Sequence, residues 1–270
     1  MMYWLLLGFG VLTGVTTVLF GFGGGFIVVP LLYTLLLALH GTQSEIGQAA
    51  MHIAVATSTC VMIFGTALAT RRHLIAGTLR WDLIRPFLIY IAIGAVIGAT
   101  AALNLNATWL RWAFIIYLIL TILDSLFRPG FLHESQNNIR PMPPLQLASL
   151  GITIGGFAAL LGVGGSVMTV PLMRRRGASM TSATAMANPL SLPMAISGTL
   201  TYMVLASRDA VSLGAWHIGY VDLAACLILV IGSWVGIRLA APWIGRIPDR
   251  IHAKIYIFLL CLVLGVMIVV

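Results

Sequence analysis

One long apolar segment of this 270-residue chain contains the stretch Gly21-Phe22-Gly23-Gly24-Gly25-Phe26-Ile27-Val28-Val29-Pro30. Each glycine costs a helix roughly 1 kcal/mol relative to alanine, and glycine also permits a positive φ angle. Pro30 has no backbone N–H group to donate, so it weakens the helix that follows the glycines. The stretch therefore predicts a break in a helix, with a new helix starting near Phe26.

A second apolar segment carries a related stretch, Gly162-Val163-Gly164-Gly165-Ser166-Val167-Met168-Thr169-Val170-Pro171. Five positions are identical at one constant offset: Gly21/Gly162, Gly23/Gly164, Gly24/Gly165, Val29/Val170 and Pro30/Pro171. Further along each half, an aspartate precedes a Gly-x-x-x-Gly pattern, Gly94/Gly98 in the first and Gly232/Gly236 in the second. Repeated patterns of this length predict a duplicated architecture.

The composition is typical of a protein embedded in a membrane. Hydrophobic residues make up 60% of the chain, charged residues only 8%, and the mean hydropathy is +1.04. A soluble domain keeps roughly a quarter of its residues charged. The net charge of +8 has two explanations, a nucleic-acid partner or basic cytoplasmic loops. In a chain this apolar we favour the loops.

Eight hydrophobic segments follow one another, each long enough to cross roughly 30 Å of hydrocarbon. They cover residues 2–39, 48–70, 83–103, 109–127, 144–173, 181–206, 219–241 and 252–270. The first and fifth are longer than one crossing requires and contain the glycine stretches. We predict an all-α polytopic membrane protein with a first membrane repeat at 1–127, a polar linker at 128–143 and a second repeat at 144–270.

The placement of basic residues selects between two topologies. If each glycine-broken segment crossed the membrane once, basic loops would fall on both faces. If each returned to its own face, one face would collect most arginines: Arg71, Arg72, Arg80, Arg85, Arg128, Arg140, Arg174, Arg175, Arg176, Arg246 and Arg250. The second arrangement fits the positive-inside rule. We therefore predict inverted repeats, cytoplasmic basic loops and periplasmic termini; re-entrant hairpins and two short crossings satisfy this argument equally.

Each glycine stretch is a candidate anion site. A helix that starts just after the glycines directs unpaired N–H groups and the positive end of its dipole at the break. Such a terminus binds anions without a formal charge. The candidate residues are Gly21, Gly23, Gly24, Gly25, Gly162, Gly164 and Gly165. The alternative is close helix packing, which we expect of Gly94/Gly98 and Gly232/Gly236.

Polar residues after each glycine stretch are candidates to line the same path. Thr57 and Ser58 have hydroxyls that can donate to oxyanion oxygens, and His52 can take up a proton during transport. Asn188 is the polar candidate in the second half, where Pro189 and Pro193 predict an irregular stretch. The alternatives stay open: hydroxyls bonded to the preceding turn, a satisfied interfacial histidine and an asparagine that only packs.

Motifs of several other protein classes are missing from the sequence. No Gly-Lys-Ser/Thr follows the glycines, and no Gly-x-Ser-x-Gly or His-Glu-x-x-His indicates an enzyme. No carboxylate cluster lies within a segment, which argues against a cation pump. The three cysteines show neither disulfide nor metal-ligand spacing and are expected to pack in the interior. We expect no enzymatic activity, no cofactor and no metal centre.

Charged residues near the predicted helix ends have simpler expected roles. Asp82 and Asp222 stand where helices begin and are predicted to cap those helices or to pair with their dipoles. The run Arg174-Arg175-Arg176 is predicted to set the topology, with lipid headgroups as partners.

At these residues the sequence resembles the TauE/SafE family of sulfite exporter-like membrane proteins. The resemblance rests on the two Gly-rich stretches with their prolines, on Ala56-Thr57-Ser58, and on the patterns Gly77-x-x-Arg80-Trp81-Asp82 and Gly219-Tyr220-Val221-Asp222. It implies that the glycines, Thr57 and Ser58 belong to the binding motifs. Ser166 replaces the last glycine of the second run, and Ala187-Asn188 stands where a second Thr-Ser is common. Ser166 and Asn188 therefore point to a different anion in the second half of the site.

The resemblance implies a secondary transporter, an exporter of sulfite or of an organosulfur anion such as sulfoacetate across the inner membrane. Alternating access would come from one half rocking against the other. The expected partners are the small anion and the bilayer, with no nucleic acid. Two alternatives stand beside this hypothesis: a passive anion channel on the same scaffold, and a membrane scaffold for a soluble protein.

Overall fold

The computed structural model describes residues 2–127, 131, 142–206 and 216–269, which form an almost entirely helical bundle. Seven of the described helices are long and apolar enough to cross a membrane, and a further apolar helix is shorter. The prediction of an all-α polytopic membrane protein is therefore confirmed. Most of the predicted linker 128–143 lies outside the described residues.

Each glycine stretch separates two helices, as the sequence predicts. In the first half the helices are α1 (Met2–Phe20), α2 (Gly25–His40), α3 (Glu45–Gln48), α4 (Ala50–Ile75), α5 (Trp81–Leu103) and α6 (Ala107–Phe127). In the second half they are α7 (Pro144–Leu161), α8 (Ser166–Arg175), α9 (Met180–Ala206), α10 (Leu223–Ala240) and α11 (Asp249–Val269). We call residues 21–24 the first break and residues 162–165 the second break.

Two local features differ from the sequence prediction. The prediction of an irregular stretch around Pro189 and Pro193 is wrong, because α9 continues through both prolines. Helix α9 packs against α4, α5 and α8, and such neighbouring helices make proline tolerable in a membrane helix. A short hairpin of β1 (His217–Ile218) and β2 (Val221–Asp222) precedes α10. Asp222 caps α10, as predicted, by accepting from the Ala225 amide at 3.0 Å.

Helices of the first half pack against helices of the second half. Helix α1 lies against α10, and α7 lies against α5. A Cβ atom placed on Gly14 or Gly236 would overlap backbone of the facing helix, and the same holds for Gly94 and Gly155. The close-packing role predicted for the Gly-x-x-x-Gly pairs is thereby confirmed.

The same contacts give the relative directions of the helices. Gly10 approaches Leu229 and Gly14 approaches Ser233, so α1 and α10 run parallel. Helices α5 and α7 are also parallel, because the contacts of Gly94 and Gly98 advance from Ile152 to Gly156. Helix α4 instead runs antiparallel to α9: Thr59 pairs with Thr199, while Met62 and Ser191 both approach Gly164.

Many basic side chains gather at one end of the bundle, which we call the basic end. Arg71, Arg72 and Arg238 line one surface pocket there. Arg174 is buried and pairs with Asp249 at 2.8 Å, and it also donates to the Phe131 carbonyl. The prediction that lipid headgroups are the partners of the arginine run is therefore wrong for Arg174, whose partners lie inside the protein.

Candidate functional site

The two breaks share left-handed backbone at two pairs of matching glycines. Gly21 and Gly162 have φ angles of 74° and 67°, and Gly23 and Gly164 have 66° and 76°. Residues with a Cβ atom rarely adopt such angles. The glycines of these two pairs therefore stand where the chain turns through left-handed backbone. At Gly24 and Gly165 the breaks differ, since φ is 96° at Gly24 and −65° at Gly165.

The two breaks lie in contact inside the bundle. A Cβ placed on Gly25 would overlap the carbonyl oxygen of Gly162, and one placed on Gly164 would lie 3.5 Å from the Phe22 carbonyl oxygen. All residues of both breaks are buried. The N-terminal ends of α2 and α8 are consequently brought together in the interior, shielded from solvent.

Neither of these helix ends is capped by a side chain. In α2 the amide of Val28 is the first to bond back to the cap residue Gly24, and in α8 the amides of Met168 and Thr169 both reach Gly165. The earlier N–H groups of each helix have no partner within the helix. Two uncapped N-terminal ends therefore place several amide donors and two positive dipole ends in one region.

The thioether of Met62, on α4, fills the space between the breaks. Its Sδ atom would lie 3.0 Å from a Cβ placed on Gly23 and equally 3.0 Å from one placed on Gly164. Its Cε atom would lie 2.8 Å from a Cβ on Gly25. Met62 is fully buried and stands at equal distance from equivalent glycines of the two halves. The sequence contains no signal for this role, since methionine is common in apolar helices.

Ser58 ties α4 to the second break. Its hydroxyl donates to the carbonyl oxygen of Gly162 at 2.7 Å and also approaches the Val55 carbonyl at 3.0 Å. Thr57 is engaged elsewhere: its hydroxyl accepts from the Asp222 amide at 2.9 Å. Of the two predicted hydroxyl residues, the structure therefore brings Ser58 to a break and holds Thr57 at the start of α10.

Two further predicted residues carry buried polar atoms that the described protein leaves unbonded. The Ser166 hydroxyl, at the first residue of α8, has no partner among the described residues. Asn188 donates to the Thr17 carbonyl at 3.2 Å, close to the first break, while its Oδ1 atom has no described partner. Buried polar atoms are nearly always hydrogen-bonded, so these two atoms are available to bond a polar ligand.

His52 lies apart from the breaks. Its Nε2 atom is 2.9 Å from the Leu105 carbonyl oxygen and 3.2 Å from that of Ala102, and its ring stacks on Tyr220. His52 therefore satisfies carbonyl groups at the C-terminal end of α5. It lies six residues before Ser58 on α4, which is about 9 Å along a helix.

Two other histidines lie next to the first break. The Nε2 atoms of His73, on α4, and His252, on α11, each approach a carbonyl of the last turn of α1, at Val18 and Leu19, both at 2.8 Å. The sequence places them 179 positions apart near basic loops, so only the fold reveals that they meet. They hold α1 in place immediately before the chain turns at Gly21.

The chain is similar to one family of known proteins and to three named relatives. The family model described as sulfite exporter TauE/SafE matches residues 6–268. A probable membrane transporter protein of Haemophilus influenzae is 25% identical over 242 residues, which cover 88% of each chain. Another, the probable membrane transporter protein YunE of Bacillus subtilis, is 26% identical over an alignment 279 positions long. The alignment covers 98% of this chain and 95% of that protein.

A third relative, the probable membrane transporter protein MJ0441 of Methanocaldococcus jannaschii, is 24% identical over 264 residues. The alignment covers 97% of this chain and 92% of that protein. The protein is thus a membrane transporter and not an enzyme. Because the family match spans both breaks and nearly all of the helical bundle, the chain belongs to the sulfite exporter TauE/SafE family.

Proposed function

We propose that the protein carries a small anion across the membrane and binds it between the two breaks. The observation that carries the proposal is the contact between the two breaks, Gly25 with Gly162 and Gly164 with Phe22, just before or at the uncapped N-terminal ends of α2 and α8. Backbone N–H groups and dipole ends favour negative charge without a cationic side chain. The unbonded Ser166 hydroxyl adds a neutral donor at the same place.

The anion we propose is sulfite or an organosulfur anion such as sulfoacetate. Support comes from the description of the matching family as sulfite exporters. The site adds support because a set of neutral donors suits a small oxyanion whose charge is spread over several oxygens. The difference between Gly25 and Ser166, at equivalent positions, makes the two sides of the site unlike, which suits an anion with two different ends.

We propose further that the two halves are inverted repeats, with the basic end cytoplasmic and both termini periplasmic in the inner membrane. Helices α4 and α9 follow the break in their respective halves, and they run in opposite directions, as inverted repeats require. The gathering of Arg71, Arg72 and Arg238 at one end supports the orientation through the positive-inside rule.

The burial of both breaks favours a carrier over a passive channel. Every residue of the first and second breaks is buried, and Met62 occupies the space between them. An anion reaches such a site only when the halves move, which is the alternating access of secondary transporters.

Uptake of radiolabelled sulfite, sulfoacetate and sulfate into proteoliposomes tests this proposal. We expect saturable uptake of one anion and counterflow when the same unlabelled anion is trapped inside. Non-saturating flux without counterflow would show a channel. Absence of flux for all three anions, in vesicles with folded and oriented protein, would refute the sulfur-anion assignment.

A further inference from the structure

Two of the three cysteines meet inside the protein. The Sγ atom of Cys226, on α10, donates to the Sγ atom of Cys60, on α4, at 3.3 Å. Both are buried, whereas Cys261 on α11 is exposed, so the prediction that the cysteines pack in the interior is wrong for Cys261. Their spacing in the chain does not indicate the pair, because 166 positions separate Cys60 from Cys226.

The pair belongs to a regular row of contacts between α4 and α10. About one turn before the two cysteines, the Asp222 amide donates to the Thr57 hydroxyl at 2.9 Å. Beyond the cysteines, a Cβ placed on Gly65 would lie 3.4 Å from Ser233 Oγ. The two helices therefore run parallel side by side, and the contact between the cysteines follows from helix packing rather than from one mobile side chain.

The short distance between the two sulfur atoms suits a disulfide. An S–S bond is about 2.05 Å long, so the atoms need to approach by roughly 1 Å, which side-chain rotation and a slight shift of the helices provide. A structural zinc site is disfavoured because it takes four protein ligands. Among the described residues, no group of three His, Cys, Asp or Glu side chains comes together. Two thiols in contact, without further metal ligands beside them, therefore favour redox chemistry.

Oxidation of the pair needs a two-electron oxidant, and a peroxide is small and neutral enough to reach buried sulfur. One thiol attacks the peroxide, whose O–O bond breaks, and a sulfenic acid and one water form. The second thiol then attacks the sulfenic sulfur: the S–S bond forms, the S–O bond breaks, and a second water leaves. Two electrons and two protons thus pass from the thiols to the peroxide. An added dithiol reverses the reaction by thiol–disulfide exchange.

We propose that Cys60 and Cys226 form a reversible disulfide, and that this bond stops transport by fixing α4 against α10. We call the two residues the oxidation site. Formation of the disulfide follows from the contact between the two sulfur atoms. Its effect on transport rests on the proposed function, while its formation does not.

Helix α4, which carries Cys60, touches both breaks. Its Ser58 donates to the Gly162 carbonyl, and its Met62 lies between the two breaks. Cys60 stands between Ser58 and Met62 in the sequence, so it moves with the part of α4 that closes the site. Alternating access requires this part of α4 to shift against the second half, to which α10 belongs. The disulfide fixes the distance between the two helices, and the buried site then stays closed.

The oxidation site lies far from the basic end. Cys226 is in the first turn of α10, and Arg238, which lines a pocket at the basic end, stands about 18 Å further along the helix. In the orientation that we propose, Cys226 therefore lies on the periplasmic side. Disulfides persist in that compartment because it is oxidising.

The first test uses purified full-length protein with the substitution Cys261→Ser, so that the oxidation site holds its only thiols. The folded protein is treated with hydrogen peroxide and then unfolded, its reactive thiols are counted with a maleimide, and its intact mass is recorded. We expect both thiols to disappear, the mass to fall by two hydrogen atoms, and dithiothreitol to restore both thiols. The oxidised protein should also melt at a higher temperature, because the bond joins distant parts of the chain.

Uptake of the transported anion into proteoliposomes tests the effect on transport. We expect the Cys261→Ser protein to lose most of its uptake after peroxide treatment and to recover it with dithiothreitol. Cys226→Ala in the same background is the matched control, because it keeps Cys60 but cannot form the disulfide. Its uptake should not respond to peroxide.

Thiols that stay reactive after peroxide treatment of the folded Cys261→Ser protein would overturn the oxidation site. A disulfide that forms but leaves uptake unchanged would overturn its effect on transport. A disulfide in protein that transports none of the tested anions would refute the proposed function and leave the oxidation site standing. Anion uptake by protein whose thiols remain unpaired would refute the oxidation site alone.

Discussion

The hydroxyl of Ser58, in the first half of the chain, donates to the carbonyl oxygen of Gly162, in the second break, at 2.7 Å. Both groups are buried, so this bond connects the two halves where no water competes for it. The relationship matters because the second break begins at Gly162, whose φ angle of 67° turns the chain away from α7.

Removing this bond should weaken both folding and transport. In Ser58→Ala the Gly162 carbonyl loses its buried donor, and we expect a loss of about 1–3 kcal/mol of stability together with a lower transport rate. Thermal unfolding and proteoliposome uptake measure the two effects. Thr121→Val is the control, because that hydroxyl is also buried but bonds within its own helix α6, to the Tyr117 carbonyl at 2.8 Å. Equal behaviour of the two variants would contradict a role for the cross-half bond.

Substitution of Gly24 and of Gly165 by alanine forms a matched pair. In each case the new Cβ would lie 3.0 Å from one side-chain methyl group, but φ is 96° at Gly24 and −65° at Gly165. We expect Gly24→Ala to be the more destabilising by about 1–2 kcal/mol, the cost of left-handed backbone for a residue with a Cβ. Leucine at either buried site should abolish transport. Equal losses of stability in the two alanine variants would show that φ does not decide the effect.

Met62 should control access to the space between the breaks. Met62→Ala removes the thioether that contacts Gly23 and Gly164, and truncating a buried methionine costs about 2–5 kcal/mol. We expect the variant to leak the anion, with flux that no longer requires counterflow, because the site stays open between the halves. Met62→Leu is the control: it preserves volume and should retain coupled exchange. Tightly coupled exchange in a folded Met62→Ala protein would argue against this role.

Two neighbouring arginines should differ sharply in their contribution to stability. The Arg174 side chain is 1% exposed and pairs with Asp249, whereas Arg175 is 27% exposed and pairs with Asp124 at 2.9 Å. Losing one partner of a buried pair costs about 3–5 kcal/mol, while a more exposed pair is worth about 0–1 kcal/mol. Arg174→Ala should therefore lower the yield of folded protein, and Arg175→Ala should change folding and transport little. Thermal unfolding of both variants measures the two losses, and equal losses of stability would contradict the role given to burial.

His52 should act as a helix cap. Its Nε2 atom approaches the carbonyls of Ala102 and Leu105, and a glutamine side chain can donate to the same groups without titrating near neutral pH. We expect His52→Gln to retain stability and to keep whatever pH-gradient dependence the transport has, whereas His52→Ala should lose about 1–3 kcal/mol. A pH-gradient dependence that disappears in folded His52→Gln would instead establish His52 as the site of proton coupling.

The helical breaks could be predicted because their signal is local. Glycines at positions 21, 23, 162 and 164 have positive φ, and each run is followed by a proline, so backbone sterics alone indicate where the helices stop. The continuity of α9 through Pro189 could not be predicted in the same way. There, the packing of α9 against α4, α5 and α8 outweighs a strong local preference.

The hydrogen-bond partners of the predicted site residues could not be predicted from the sequence either. Thr57 and Ser58 are adjacent in the sequence, yet one bonds the start of α10 and the other bonds the second break. Consecutive residues on a helix point about 100° apart, and which neighbour each side chain meets depends on how distant helices pack. Met62, His73 and His252 were missed for the same reason.

The sequence by itself determined that this protein lies in a membrane, that two stretches share five residues at one constant offset, and that each stretch breaks an apolar helix. These properties follow from composition and from backbone preferences, which act within a few residues. Only the tertiary structure decided that the two breaks touch and that Met62 lies between Gly23 and Gly164. Those contacts join residues far apart in the chain, and their energies depend on burial and exact distance, which a linear pattern does not contain.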